Sequence, residues 1–215
     1  MTPPVTPSYN AIAGTNRERI AALSDGLFAI AMTLIVLEVH VPSAEGIHSE
    51  SDLWQALAHL TPRAVTYLLS FLTLGIFWVG QQTQLNHLRR ATRELSWLHL
   101  IFLALVAVMP FSTELLAEFI TYRTALLVYW LNVLLLGVAL YASWRHASAA
   151  GLVSEEVPEA VERAICRRII VAQSLYAFGA ALCLVNTYWS LGFIVLVQLN
   201  YAFAPRLPGL ERVTA

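Results

Sequence analysis

Hydrophobic residues in this chain do not alternate with polar ones. They come in long runs separated by short polar punctuation. Six runs stand out, all but the longer second one near the roughly 20 residues a helix needs to cross about 30 Å of hydrocarbon. The first extends from Glu18 to His40 and stops before Pro42. A polar loop, Ser43 to Asp52, leads to the second, Leu53 to Leu88, in which Thr61-Pro62-Arg63 predicts a bend or a short entry helix at the membrane surface. The third covers Leu95 to Ala117 and the fourth Tyr122 to Trp144, after which Ser148-Ala149-Ala150-Gly151 and an acidic stretch form the one long internal linker. The fifth spans Glu162 to Val185, with Pro158 ahead of it, where a missing N–H costs little. The sixth, Trp189 to Ala204, closes at Pro205, and the link Asn186-Thr187-Tyr188 is so tight that the last two helices must be antiparallel neighbours. The predicted fold is all-α with six transmembrane helices: residues 1–17 form an N-terminal segment, 18–205 the membrane domain and 206–215 a tail.

Composition supports a hydrocarbon solvent. Of 215 residues, 58% are hydrophobic and 13% charged, with a mean hydropathy of +0.63. A soluble domain carries about a quarter charged residues, and half that supply cannot solvate an ordinary surface. Net charge is -1, which argues against a nucleic-acid partner. All 13 basic residues are arginines, and they set the orientation. With the N-terminus inside, Arg17, Arg19, Arg89, Arg90, Arg93, Arg145, Arg163, Arg167, Arg168, Arg206 and Arg212 fall on the cytoplasmic side, leaving Arg63 and Arg123 outside. Both termini are therefore expected in the cytoplasm. The first residues, with Pro3, Pro4 and Pro7, do not read as a signal peptide. Cys166 and Cys183 sit on one predicted helix about 25 Å apart, too far for a disulfide.

Enzyme signatures are missing: there is no GxSxG, P-loop, HExxH or CxxC. The histidines, His40, His48, His59, His87, His99 and His146, are dispersed over both membrane faces and suggest no metal site.

The first helix carries the chemistry. Asp25 lies about two turns into the membrane, where a carboxylate costs about 2.5–3.5 kcal/mol and marks a structural or functional site. Arg19 is six residues away and on a different helical face, so each must find partners on other helices. Leu23, Ile30 and Leu37 repeat every seven residues, with Thr33 on the same side, making an apolar stripe with one hydroxyl in it. Alone, this stripe fits packing against a neighbour as well as ion passage.

Arg19-x-x-x-Leu23-Ser24-Asp25 resembles the R-x-x-x-F-S-D motif of the transmembrane protein 175 family of potassium channels. Gly26 through Leu34, and Leu37-Glu38-Val39 to Pro42, are similar to that family's first helix. Phe77-Trp78 and His87 resemble its second helix, and Pro110-Phe111-Ser112-Thr113 the end of its third. Leu23 replaces the usual Phe, and His99 stands where the family often has an amide. The resemblance implies a homotetramer in the cell membrane, its pore lined by the first helix and passing monovalent cations, potassium above all, without cofactor. It implies a constriction at Ile30, a Thr33 ring near which potassium passes transiently, and further apolar positions at Leu37 and Leu23. Arg19, Ser24 and Asp25 are implied to brace the first helix, with Trp78 and His87 as candidate partners. A carbonyl-loop filter of the TVGYG type is absent from the sequence. Two other classes remain open: a proton-coupled secondary transporter with Asp25 as protonation site, although inverted repeats and broken helices are not evident, and an integral membrane enzyme or assembly factor.

Overall fold

The computed structural model describes residues 16–203. Its helices are α1 (Arg17–Leu37), α2 (Glu50–His59), α3 (Thr61–Asn86), α4 (Arg93–Glu118), α5 (Arg123–Ala149), α6 (Glu159–Ala181) and α7 (Thr187–Phe203), with a 3-10 turn over Leu182–Leu184 that extends α6. Among the described residues no strand forms, and Leu88 pairs with Val153 in one isolated bridge. Among the described residues, five helices are long and apolar enough to cross a membrane: α1, α3, α4, α5, and α6 with its extension. The sixth is α7, whose 17 residues carry no charge and reach about 25 Å. The short α2 precedes α3 by Leu60 alone, so the Thr61-Pro62-Arg63 signal marks the junction between an entry helix and its span. The tail 206–215, and all of segment 1–17 except its last two residues, lie outside the described residues.

Several helices run further than their apolar runs, and their caps say why. Thr92 starts α4 before Leu95 by accepting from the Leu95 N–H at 3.3 Å. At the same end of the bundle, α5 continues past Trp144 to a Schellman close at Gly151: Leu152 N donates to Ala147 O at 2.9 Å and Gly151 N to Ser148 O at 3.1 Å. Gly151 has φ +62, the left-handed conformation this motif requires. Pro110 sits inside α4, and the helix continues past it to Glu118, one residue beyond the expected Ala117. A proline leaves the preceding turn one donor short. Ser112 and Thr113 donate nearby, to Met109 O at 3.0 and 2.8 Å, and flanking helices in a membrane bundle tolerate the break.

The bundle packs α4 against α5 and α1, α6 against α5 and α7, and α7 back onto α3. Phe28, Ile35, Leu69, Phe102, Val106 and Leu136 lie in its core. Gly137 permits the closest approach: a Cβ there would fall 1.9 Å from Gln173 Nε2, whose side chain crosses from α6 to donate to Val133 O at 3.3 Å. The alternating helix directions gather Arg17, Arg19, Arg89, Arg90, Arg93 and Arg145 with the arginines that open α6 at one end of the bundle. Arg63 and Arg123 lie at the other end. There Arg63 pairs with Glu118 at 2.5 Å and donates to Glu38 O at 3.3 Å, joining the ends of α1, α3 and α4. At the arginine-rich end, Arg89 ties two loops by donating to Gly151 O at 2.9 Å and Glu155 at 2.9 Å.

Candidate functional site

Helix α1 has two faces with opposite fates. Asn16 caps it, its side chain accepting from Arg19 N at 3.1 Å. Ser24, Phe28, Ala31 and Ile35 recur at helical spacing and are all buried against α3 and α4. Phe28 packs on Phe102 with ring centroids 6.0 Å apart, and Phe102 in turn on Phe77 at 6.2 Å. Ser24 returns its hydroxyl to Ile20 O at 2.8 Å, so it enters the packed seam with its donor satisfied.

Asp25 stands at the edge of that seam. Trp78 Nε1 donates to its Oδ1 at 2.8 Å and Gln82 Nε2 to the same oxygen at 2.7 Å. Trp78 and Gln82 are one turn apart on α3, so one face of that helix presents both donors. Hydrogen bonds to a charged acceptor contribute about 1.5–3 kcal/mol each. They fix the rotation of α1 about its own axis. The Gln82 contact carries no motif; its signal in the sequence is only the spacing of four from Trp78.

The other bracing candidates distribute differently. Arg19 is exposed and its guanidinium makes no hydrogen bond or ion pair among the described residues. Its neighbour Arg17 makes the interhelical contact, donating to Leu88 O beyond the end of α3. His87 faces Trp144 of α5, edge to face at 6.5 Å, with Nδ1 2.6 Å from Thr83 O, and does not meet Asp25. His99 is buried beside Gln81, whose Nε2 lies 3.2 Å from its Nδ1.

The opposite face of α1 has no cover among the described residues. Leu23 is 46% exposed, Ile30 55% and Leu37 65%. Seven residues fall about 20° short of two helical turns, so the three form a nearly straight row. Gly26 lies on the same face, where a Cβ would meet nothing within 4 Å. Thr33 is exposed between Ile30 and Leu37, and its hydroxyl is 2.8 Å from Ile30 O and 3.0 Å from Ala29 O. With its proton committed to its own helix, the Thr33 oxygen presents lone pairs outward, as a cation ligand would.

Comparison with known proteins points to one family. The family model described as endosomal/lysosomal potassium channel TMEM175 matches residues 19–110. The chain is similar to a potassium channel of Streptomyces collinus, 34% identical over 190 residues that cover 86% of this chain and 91% of that protein. It is also similar to a potassium channel of Chamaesiphon minutus, 30% identical over 188 residues, 86% of this chain and 92% of the relative. The crystal structure of a lysosomal potassium-selective channel TMEM175 homolog from the same organism superposes with a TM-score of 0.77 at 28% identity, covering 89% of this chain and 98% of that one. With helix order, the α1 motif and near full-length similarity in agreement, the chain belongs to the TMEM175 channel family.

Proposed function

We propose that this chain is one subunit of a tetrameric, leak-type, potassium-permeable channel of the cell membrane, with both termini cytoplasmic and residues 18–205 forming the channel domain. One observation carries the reading. Asp25, held by Trp78 and Gln82, fixes the rotation of α1, and that rotation turns Ile30 and Leu37 outward with the Thr33 hydroxyl between them. A single chain supplies one such stripe, and closed symmetry brings several to a common axis. A ring of Ile30 side chains gates by dewetting, and Thr33 oxygens replace part of the hydration shell of a passing cation. Leu23 and Leu37 extend the apolar lining on either side. The names borne by the bacterial relatives make potassium the permeant ion to test first.

Detergent-corrected mass should give four subunits, and purified protein in a planar bilayer should show discrete potassium current steps. A conducting monomer would remove the shared axis. Saturable, proton-dependent flux without current steps would indicate a transporter instead. Orientation is tested separately: a reporter fused after Ser49 should read on the outer side, and those after Ala91 and Ser154 on the cytoplasmic side.

A further inference from the structure

Inside the bundle, polar side chains bond one another. Thr113 Oγ1 donates to Ser70 Oγ at 2.7 Å, Thr73 Oγ1 and the Tyr129 hydroxyl are 2.9 Å apart, and Gln198 Nε2 donates to Thr73 Oγ1 at 2.5 Å. The outer surface carries a different combination at the arginine-rich end. There a groove of about 480 Å³ opens between α5 and α6. Trp144, Ile170 and Val171 supply its apolar walls, and Arg145, Arg163 and Arg167 its cations. Two carboxylates also line it, and both are engaged within the protein. Glu159 accepts from Arg163 at 2.8 Å, and Glu162 accepts from the Ser148 hydroxyl. Three arginines against two carboxylates leave the groove net positive. Arg145 approaches from α5 closely enough for its charge to act on Cys166 of α6, so cations of both helices meet at one place.

An apolar rail continues from these charges into the membrane. Arg163, Arg167, Ile170, Ser174 and Phe178 share one face of α6, and all five are exposed. Ser174 donates its hydroxyl to Ile170 O at 2.9 Å, so its proton is spent within the helix. From Arg167 to Phe178 the helix rises about 16 Å, close to the roughly 15 Å of hydrocarbon in one leaflet. A free anion would use only the charged end of this face, whereas a lipid uses all of it. Basic pockets between spans hold anionic headgroups, and guanidinium donors match phosphate oxygens in pairs. The position of α6 leaves room for such a ligand. Its span is the least buried of the five, at 17%. It packs on α5 and α7, whereas α1 packs on α3 and α4.

We propose that the groove between α5 and α6 binds an anionic phospholipid of the leaflet at the arginine-rich end. Arg145 and Arg167 hold the phosphate, and an acyl chain lies along Ile170 and Phe178. This rests on the reading that α1 faces a shared axis, which puts α6 on the periphery against lipid.

Native mass spectrometry of the purified assembly, in micelles with equal phosphatidylglycerol and phosphatidylcholine, reads retained lipid and subunit number in one spectrum. A failed subunit count and a failed lipid site are thereby told apart. Phosphatidylglycerol should be retained several-fold over phosphatidylcholine, and Arg145→Gln combined with Arg167→Gln should remove the excess. Arg90→Gln, which changes an exposed arginine at the same end but outside the groove, should keep it. No excess in the wild type, or one that survives the double variant, would overturn the site. So would an equal loss in Arg90→Gln, which marks diffuse charge, or displacement by inorganic phosphate, which marks a bare anion site. If the double variant does not assemble, a photoactivatable phosphatidylglycerol on the wild type decides the matter. Label on residues 144–148 and 166–178 is expected; label confined elsewhere would overturn the site.

Discussion

Helices α1 and α5 are both apolar spans, and they use that character in opposite ways. In α5, half of the most apolar stretch is buried, 50% against 22% for α1, and what it buries includes Tyr129, Asn132 and Ser143. In α1, the large apolar residues that stay exposed are Leu23, Ile30 and Leu37, with Leu34 and Val36 beside them. In hydrocarbon an exposed leucine costs nothing, whereas an unpaired polar group costs several kcal/mol, so polar residues move inward. Exposure alone therefore does not single out a pore helix. The α6 span is even less buried, at 17%, and exposes Ile170, Phe178 and Leu184. In-line spacing is shared with α4, through Ile101 and Val108, and with α5, through Leu131 and Val138; what α1 adds is a hydroxyl in the middle of its exposed row and a rotation locked by Asp25.

Substitutions on the two faces of α1 should separate accordingly. The largest stability effect belongs to the inner face. Phe28→Ala removes a ring that is 2% exposed and packed on Phe102, and should cost about 3–5 kcal/mol. The measurement is the thermal unfolding midpoint and the yield of assembled protein. Next comes the lock. Asp25→Asn weakens two charge-assisted hydrogen bonds and should cost about 1–3 kcal/mol, read as reduced assembly. Normal assembly with abolished transport in that variant would move Asp25 into a proton-coupling role and break the comparison. The smallest stability effect is on the outer face. Thr33→Ala deletes a hydroxyl bonded only to its own helix and should shift stability by no more than about 0.5 kcal/mol. It should nevertheless reduce the preference for potassium over sodium, measured as a bi-ionic reversal potential.

The sequence carried the spans well, because a run of apolar residues long enough to cross a bilayer has few other uses. The stripe Leu23, Ile30, Thr33, Leu37 was legible for the same reason: a single helix sets its periodicity. Partnerships between helices were less legible. Trp78 was reachable through the family resemblance, but Gln82 was not, because an amide on an apolar helix has many places to go. His87 was paired with the wrong helix, since the end of α3 turns it toward Trp144. The third run reads through Pro110 to Ala117, and the helix does continue to Glu118, because a membrane bundle tolerates a proline inside a span. The polar interior around Thr73, Tyr129 and Gln198 left no signal, since its residues come from three separate helices.

The central claim is that the outward face of α1 lines the conduction path, with Ile30 at its narrowest point. Its most direct test compares wild type and Ile30→Asn in reconstituted bilayers, by resting conductance and bi-ionic potassium/sodium reversal potential. Ile30 is 55% exposed in the single chain, so the change should leave the subunit fold intact. A polar ring should wet the constriction, raising conductance several-fold and moving the reversal potential toward zero. Unchanged conductance and ion preference in a correctly assembled Ile30→Asn protein would contradict the account.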